Sequence, residues 1–130
     1  MHNGYVADFA AVKRELMLTV DESLFAQIQG TTDTEVIFYL ALTFGLAEDP
    51  PGAVARAIGL IESLGRRHGV QYPFQGTIAV TNGRQMWSFR YSTEGKSRSL
   101  FFTRDVPNLR EQYPDNELLQ IGRASCRERV

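Results

Sequence analysis

Three observations predict an α+β layered fold for this chain. Apolar residues recur at helical spacing in separate stretches as far as His68, and the period falls to two after Pro73. Asn82-Gly83, lying between two alternating stretches, marks a tight hairpin. Helices followed by an antiparallel meander set a helical layer against a sheet.

The elements follow in order. Ala10 to Leu18 reads as a short amphipathic helix. Asp21 is placed to cap a second short helix, Glu22 to Ile28, which Gly30 stops. Val36, Ile37, Leu40, Ala41 and Phe44 define the apolar face of a third helix. Thr32 and Glu35 have the spacing of a capping box at its start, and Gly45 ends it. Asp49-Pro50 opens the next helix, with proline where its missing N–H costs nothing. Its buried stripe is Val54, Ala57, Ile58, Ile61 and Leu64; Arg66, Arg67 and His68 complement the dipole before Gly69. Thr77 to Thr81, Arg84 to Tyr91 and Ser99 to Thr103 read as strands, and Asn82-Gly83 suits a type I′ turn with both residues at positive φ.

Composition narrows the function classes. Fourteen Lys and Arg against fifteen Asp and Glu give a net charge of −1, with no cationic surplus to draw the chain onto nucleic acid or an anionic membrane. The apolar stretch Val36 to Leu46 is too short and interrupted to span a bilayer. No basic segment followed by an apolar one opens the chain, and the single cysteine, Cys126, precludes an internal disulfide, so a cytoplasmic domain is expected. Two histidines without cysteine or clustered carboxylates make no metal site, and no cofactor is expected.

The last ten residues, IGRASCRERV, depart from this pattern. They read as a translation of a common sequencing adapter, so residues 1–120 are expected to form the domain piece and 121–130 a non-native tail. Without the tail's three arginines and one glutamate, eleven basic residues face fourteen acidic ones, a net charge of −3.

Asn3-Gly4 by itself reads as a turn, and Asn82-Gly83 is one. Thr32 and Glu35 explain themselves as caps, and Asp33 in a first helical turn complements the dipole. Trp87, Phe89 and Tyr91 alternate with Met86, Ser88 and Arg90, giving a strand with one apolar face. Arg84, Arg90, Lys96, Arg98 and Arg104 read as a solvated rim.

Taken together, Met1-His2-Asn3-Gly4-Tyr5 and Gly30-Thr31-Thr32-Asp33-Thr34-Glu35-Val36 resemble the second half of a class II, N-terminal-nucleophile glutamine amidotransferase domain. The segments Asp33 to Pro51 and Arg90 to Phe102 are similar to the small bacterial members akin to the ergothioneine-pathway hydrolase. The resemblance implies a four-layer α/β/β/α sandwich, one sheet of which this chain largely lacks. It implies that the Asn3 side-chain amide and the Gly4 backbone N–H form an oxyanion hole. Each such donor is worth about 2.7–4 kcal/mol of transition-state stabilisation. It implies that Asp33 holds the α-ammonium of glutamine or a γ-glutamyl compound, with His2, Thr32 and Glu35 in support.

The family's nucleophile is a cysteine at the mature N-terminus, and neither Met1 nor His2 replaces it. The arginine that would hold the substrate carboxylate, and the first sheet, are also missing. The chain is therefore expected to be an inactive fragment of an amide-hydrolysing enzyme. Its strands' apolar face is expected to lie bare and to favour self-association. A non-catalytic γ-glutamyl-binding or interaction module is the alternative. A two-chain enzyme completed by a cysteine-bearing partner is a third.

Overall fold

The computed structural model describes residues 1–97, 99–100 and 105–115, and the chain divides into two units, residues 1–100 and 101–130. In the first unit the order is β1 (His2–Val6), α1 (Phe9–Thr19), α2 (Glu22–Phe25), α3 (Asp33–Thr43), α4 (Pro50–Arg67), β2 (Phe74–Thr81) and β3 (Met86–Ser92). The second contributes α5 (Val106–Gln112), whose N-cap Asp105 accepts from the Asn108 N–H at 3.0 Å.

The strands form one antiparallel sheet in the order β1-β2-β3. His2 pairs with Ile78, Asn3 with Thr77 and Gly4 with Gly76; Thr77 and Gly76 pair in turn with Arg90 and Tyr91. Paired residues share a face. One face therefore carries His2, Val6, Phe74, Ile78 and Phe89, and it packs on the helices. Its core joins Val12 and Leu16 of α1, Val36, Ile37 and Leu40 of α3, and Val54, Ala57, Ile58, Ile61 and Leu64 of α4. The stripe expected of α4 is buried at every position, and that of α3 at all but the half-buried Phe44.

This layering corrects the expectation of a bare apolar sheet face. The apolar alternation of the strands turns toward the helices, with Val80 and Phe89 against the core. The opposite face is mostly polar: Asn3, Gln75, Thr77, Ser88 and Arg90.

Local differences have simple causes. The second helix stops at Phe25, with Asp21 accepting from the Ser23 N–H at 2.9 Å. The hairpin loop runs from 82 to 85 rather than closing in two residues. Gly83 alone takes positive φ, at 84°, because Asn82 Oδ1 accepts from the N–H groups of Arg84 and Gln85 and builds a wider turn. The strand expected at 99–103 is not formed at Ser99 and Leu100, and the rest of it lies outside the described residues, as does the tail 121–130. Among the described residues no helix is long and apolar enough to cross a membrane.

Candidate functional site

β1 is an edge strand, and its hydrogen bonds decide which way the backbone of Asn3-Gly4 faces. Ala79 donates to the Met1 carbonyl at 2.9 Å, and Ala7 donates to the Pro73 carbonyl at 2.8 Å. Antiparallel pairs alternate between bonded and non-bonded. Met1, Asn3, Tyr5 and Ala7 are thus tied to β2, while the N–H groups of Gly4 and Val6 point outward along the free edge. Asp33 takes the second of these: its Oδ2 accepts from the Val6 N–H at 3.0 Å. The Gly4 N–H stands one pair further along the same edge.

Asp33 reaches this place because α3 starts beside β1. Thr32 caps the helix, its Oγ1 accepting from the Glu35 N–H at 3.3 Å. The reciprocal arm of a capping box is absent. The Glu35 carboxylate instead accepts from Gln29 N–H at 2.9 Å and Gly30 N–H at 2.6 Å, and so ties down the loop before the helix. Asp33 Oδ1 accepts from the Thr34 N–H at 2.7 Å. The Thr34 hydroxyl donates to the same oxygen at 3.4 Å. An ionised carboxylate offers about four acceptor positions, so these three bonds leave one for a ligand cation.

His2 lies on the helix-facing side of β1, with Nδ1 3.0 Å from Thr34 Oγ1. It therefore joins the strand bearing Asn3 to the helix bearing Asp33. Burial lowers its pKa, with the Asp33 charge opposing the shift. Its Nε2 is buried without a hydrogen-bond partner among the described residues. The ring stacks on Phe74, with centroids 5.7 Å apart, and Phe74 stacks on Tyr91 at 6.4 Å. Three rings thus lie beneath the paired Gly4 and Gly76. A side chain at Gly76 would meet His2 Nε2 at 2.7 Å and the Phe74 ring at 2.9 Å, and one at Gly4 would strike the backbone of Gln75 and Gly76. Tyr91 is held from α4: its hydroxyl donates to Glu62 Oε1 at 2.8 Å, which raises its pKa, and the Thr93 hydroxyl donates to the same oxygen at 2.7 Å.

Asn3, Gly4, Tyr5, Gln75, Gly76, Thr77, Tyr91 and Ser99 line an open cavity of about 270 Å³, in which Asn3, Tyr5, Gln75 and Thr77 belong to the face opposite the helices. Asn3 and Gly4 thus sit in the cavity wall, whereas Asp33 stands at the β1 edge beside them. Thr32 and Glu35 act on the α3 entry, away from the cavity. The sequence assigned no site role to Thr34, Gln75, Thr77 or Tyr91, and placed Tyr91 on the apolar face of a strand. A glycine inside a strand signals close backbone approach, so Gly76 was legible as a special position.

The chain resembles a class II glutamine amidotransferase domain in structure as well as sequence. A solved structure of a glutamine aminotransferase class-II domain protein from Silicibacter pomeroyi matches it with a TM-score of 0.71 and 37% identity. The match covers 75% of this chain and 44% of the other, so the chain spans under half the length of that protein. No protein-family model matches, and no curated protein does.

Proposed function

We propose that this chain is the later part of a class II glutamine amidotransferase domain whose complete form hydrolyses the side-chain amide of glutamine or of a related γ-glutamyl compound. In that form a cysteine thiolate adds to the amide carbonyl, and the resulting oxyanion is met by the Gly4 N–H and the Asn3 side-chain amide. Collapse to the thioester releases the amine, and water then frees glutamate. The observation that carries the reading is the joint placement of Gly4 and Asp33 on one strand edge. A backbone N–H unpaired among the described residues and a carboxylate with one spare acceptor position stand two residues apart along β1. That arrangement suits an amino acid bound by its ammonium at one end and polarised at its side-chain carbonyl at the other.

The described residues hold no thiol, and Cys126 lies outside them. The four-layer sandwich and the nucleophile would both come from a segment preceding β1. The chain alone is therefore expected to bind L-glutamine weakly and release no ammonia from it. An NMR titration with L-glutamine, paired with an ammonia assay, tests this. Shifts centred on Asn3, Gly4 and Asp33 without turnover are the expected result. Turnover by the chain alone would refute its inactivity, and the absence of shifts at those residues would remove the site.

A further inference from the structure

We infer that Thr34 is a positioning residue: its hydroxyl, oriented by the His2 Nδ1–H, fills Asp33 Oδ1 and so directs the ligand's ammonium to Oδ2 at the β1 edge. This rests on the reading above and concerns how the Asp33 end of that site is built.

Thr34 stands between groups from two different elements. Its Oγ1 lies 3.0 Å from His2 Nδ1 and 3.4 Å from Asp33 Oδ1. A hydroxyl has one proton to donate, so it serves one of them as donor and must accept from the other. The tautomer of His2 decides which. Burial lowers the His2 pKa, so the neutral ring carries a single proton.

The far ring nitrogen, Nε2, fixes where that proton sits. It is buried without a hydrogen-bond partner among the described residues. A Cβ built on Gly76 would lie 2.7 Å from Nε2 and 2.9 Å from the Phe74 ring, so this nitrogen rests over the glycine beside an aromatic ring. An N–H there would be an orphaned buried donor, which proteins tolerate less often than an unfilled acceptor. The proton therefore sits on Nδ1 and is donated to Thr34 Oγ1. That leaves the Thr34 proton for Asp33 Oδ1, and the three side chains form a relay from ring to carboxylate.

The relay divides the carboxylate unevenly. Oδ1 takes two donors, the Thr34 N–H at 2.7 Å and the Thr34 hydroxyl. Oδ2 takes one, the Val6 N–H at 3.0 Å. With about two acceptor positions on each oxygen, the vacant one belongs to Oδ2. This oxygen faces the free edge of β1, to which the Gly4 N–H also points. An ammonium on Oδ2 thus shares an edge with the donor for the scissile carbonyl. Without the hydroxyl, both oxygens would offer a vacant position and the His2 N–H would lose its acceptor.

The test first reads the His2 tautomer in the native 130-residue chain by long-range nitrogen–proton correlation NMR, with Nδ1–H as the expected form. The chain and its Thr34→Val, Thr34→Ser and His2→Phe variants are then titrated with L-glutamine. Thr34→Val keeps the shape and removes the hydroxyl; it is expected to weaken binding about tenfold, and Thr34→Ser to restore it to within about twofold. His2→Phe keeps a ring on Phe74 and should weaken binding less. Combined with Thr34→Val it should add no further loss, because both act through one relay. A ring protonated on Nε2, or native affinity in Thr34→Val, would overturn the relay while the site stands. Equal losses in Thr34→Val and Thr34→Ser would assign the residue to the helix start alone and also overturn it. Failure of the native chain to bind L-glutamine would remove the site and this inference with it.

Discussion

The two faces of the β1-β2-β3 sheet divide the work of the molecule. On the helix side, Val6, Phe74 and Ile78, with Val80 and Phe89 packed against them, enter a core with fully buried members such as Leu16, Leu40 and Ile61. On the open side the same strands present Asn3, Gln75 and Thr77 around a solvent-connected cavity, with Arg90 beside Thr77 in the next strand. A strand's period of two lets one backbone serve both ends without conflict. It follows that stability and binding should respond to different substitutions, and a mutation that moves both must act on the backbone between them.

The largest stability loss is expected inside the core. Ile61→Ala should cost about 2–5 kcal/mol by chemical denaturation, because Ile61 has no exposed surface and its removal leaves a cavity beneath α1 and α3. A loss below 1 kcal/mol would mean that α4 does not pack as described. Gly76→Ala breaks the division of the faces. The added methyl meets His2 Nε2 and the Phe74 ring, so an overpacking cost of about 1–3 kcal/mol is expected, together with lost glutamine binding as Gly4 is displaced. Retained binding in that variant would show that the ring row does not set the position of Gly4.

Asn3→Ala and Asp33→Asn sharpen the division from the other side. Asn3 is exposed, so its removal should change stability by no more than about 0.5 kcal/mol. Asp33→Asn keeps an oxygen for the Val6 N–H but loses the charge for a ligand ammonium. Both variants should fold normally and lose glutamine binding as read by titration. Normal binding in Asp33→Asn would assign Asp33 to the strand edge alone.

Much of this was legible in the sequence, and the reason is periodicity. The stripe of α4, the caps at Thr32 and Asp49 and the alternation of β2 and β3 are local patterns, and local patterns survive into the fold. What sequence could not give is register. That Asn3 faces Thr77, and Thr77 faces Arg90, depends on how β1 aligns with strands some seventy residues later. Glu35 was half legible for a related reason: its spacing from Thr32 suggests a reciprocal cap, yet the loop before α3 brings two free N–H groups nearer to its carboxylate. His68 read as a dipole partner, while its bond to Glu15 at 2.6 Å depends on α1 packing beside the end of α4.

The smallest effect is expected from pH, and it distinguishes the two ends of the helical layer. Burial lowers the pKa of His2, so the unfolded chain binds a proton that the folded chain resists. Stability should therefore fall as pH drops below the ordinary imidazole value of about 6.5 and level off past the lowered folded value. Glu15 acts in a more acidic window. Its pKa is lowered first by the hydrogen bond to His68 and further by the charge of Arg67. Its contribution is complete above the ordinary glutamate range and disappears as pH falls through the lowered value. Denaturation midpoints measured across pH for the native chain, His2→Gln and His68→Gln separate the two. His2→Gln should flatten the limb near neutrality and leave the acidic one, whereas His68→Gln should weaken the acidic limb. A neutral limb that persists in His2→Gln would show that the histidine under the Asn3-Gly4 strand is not the group being titrated.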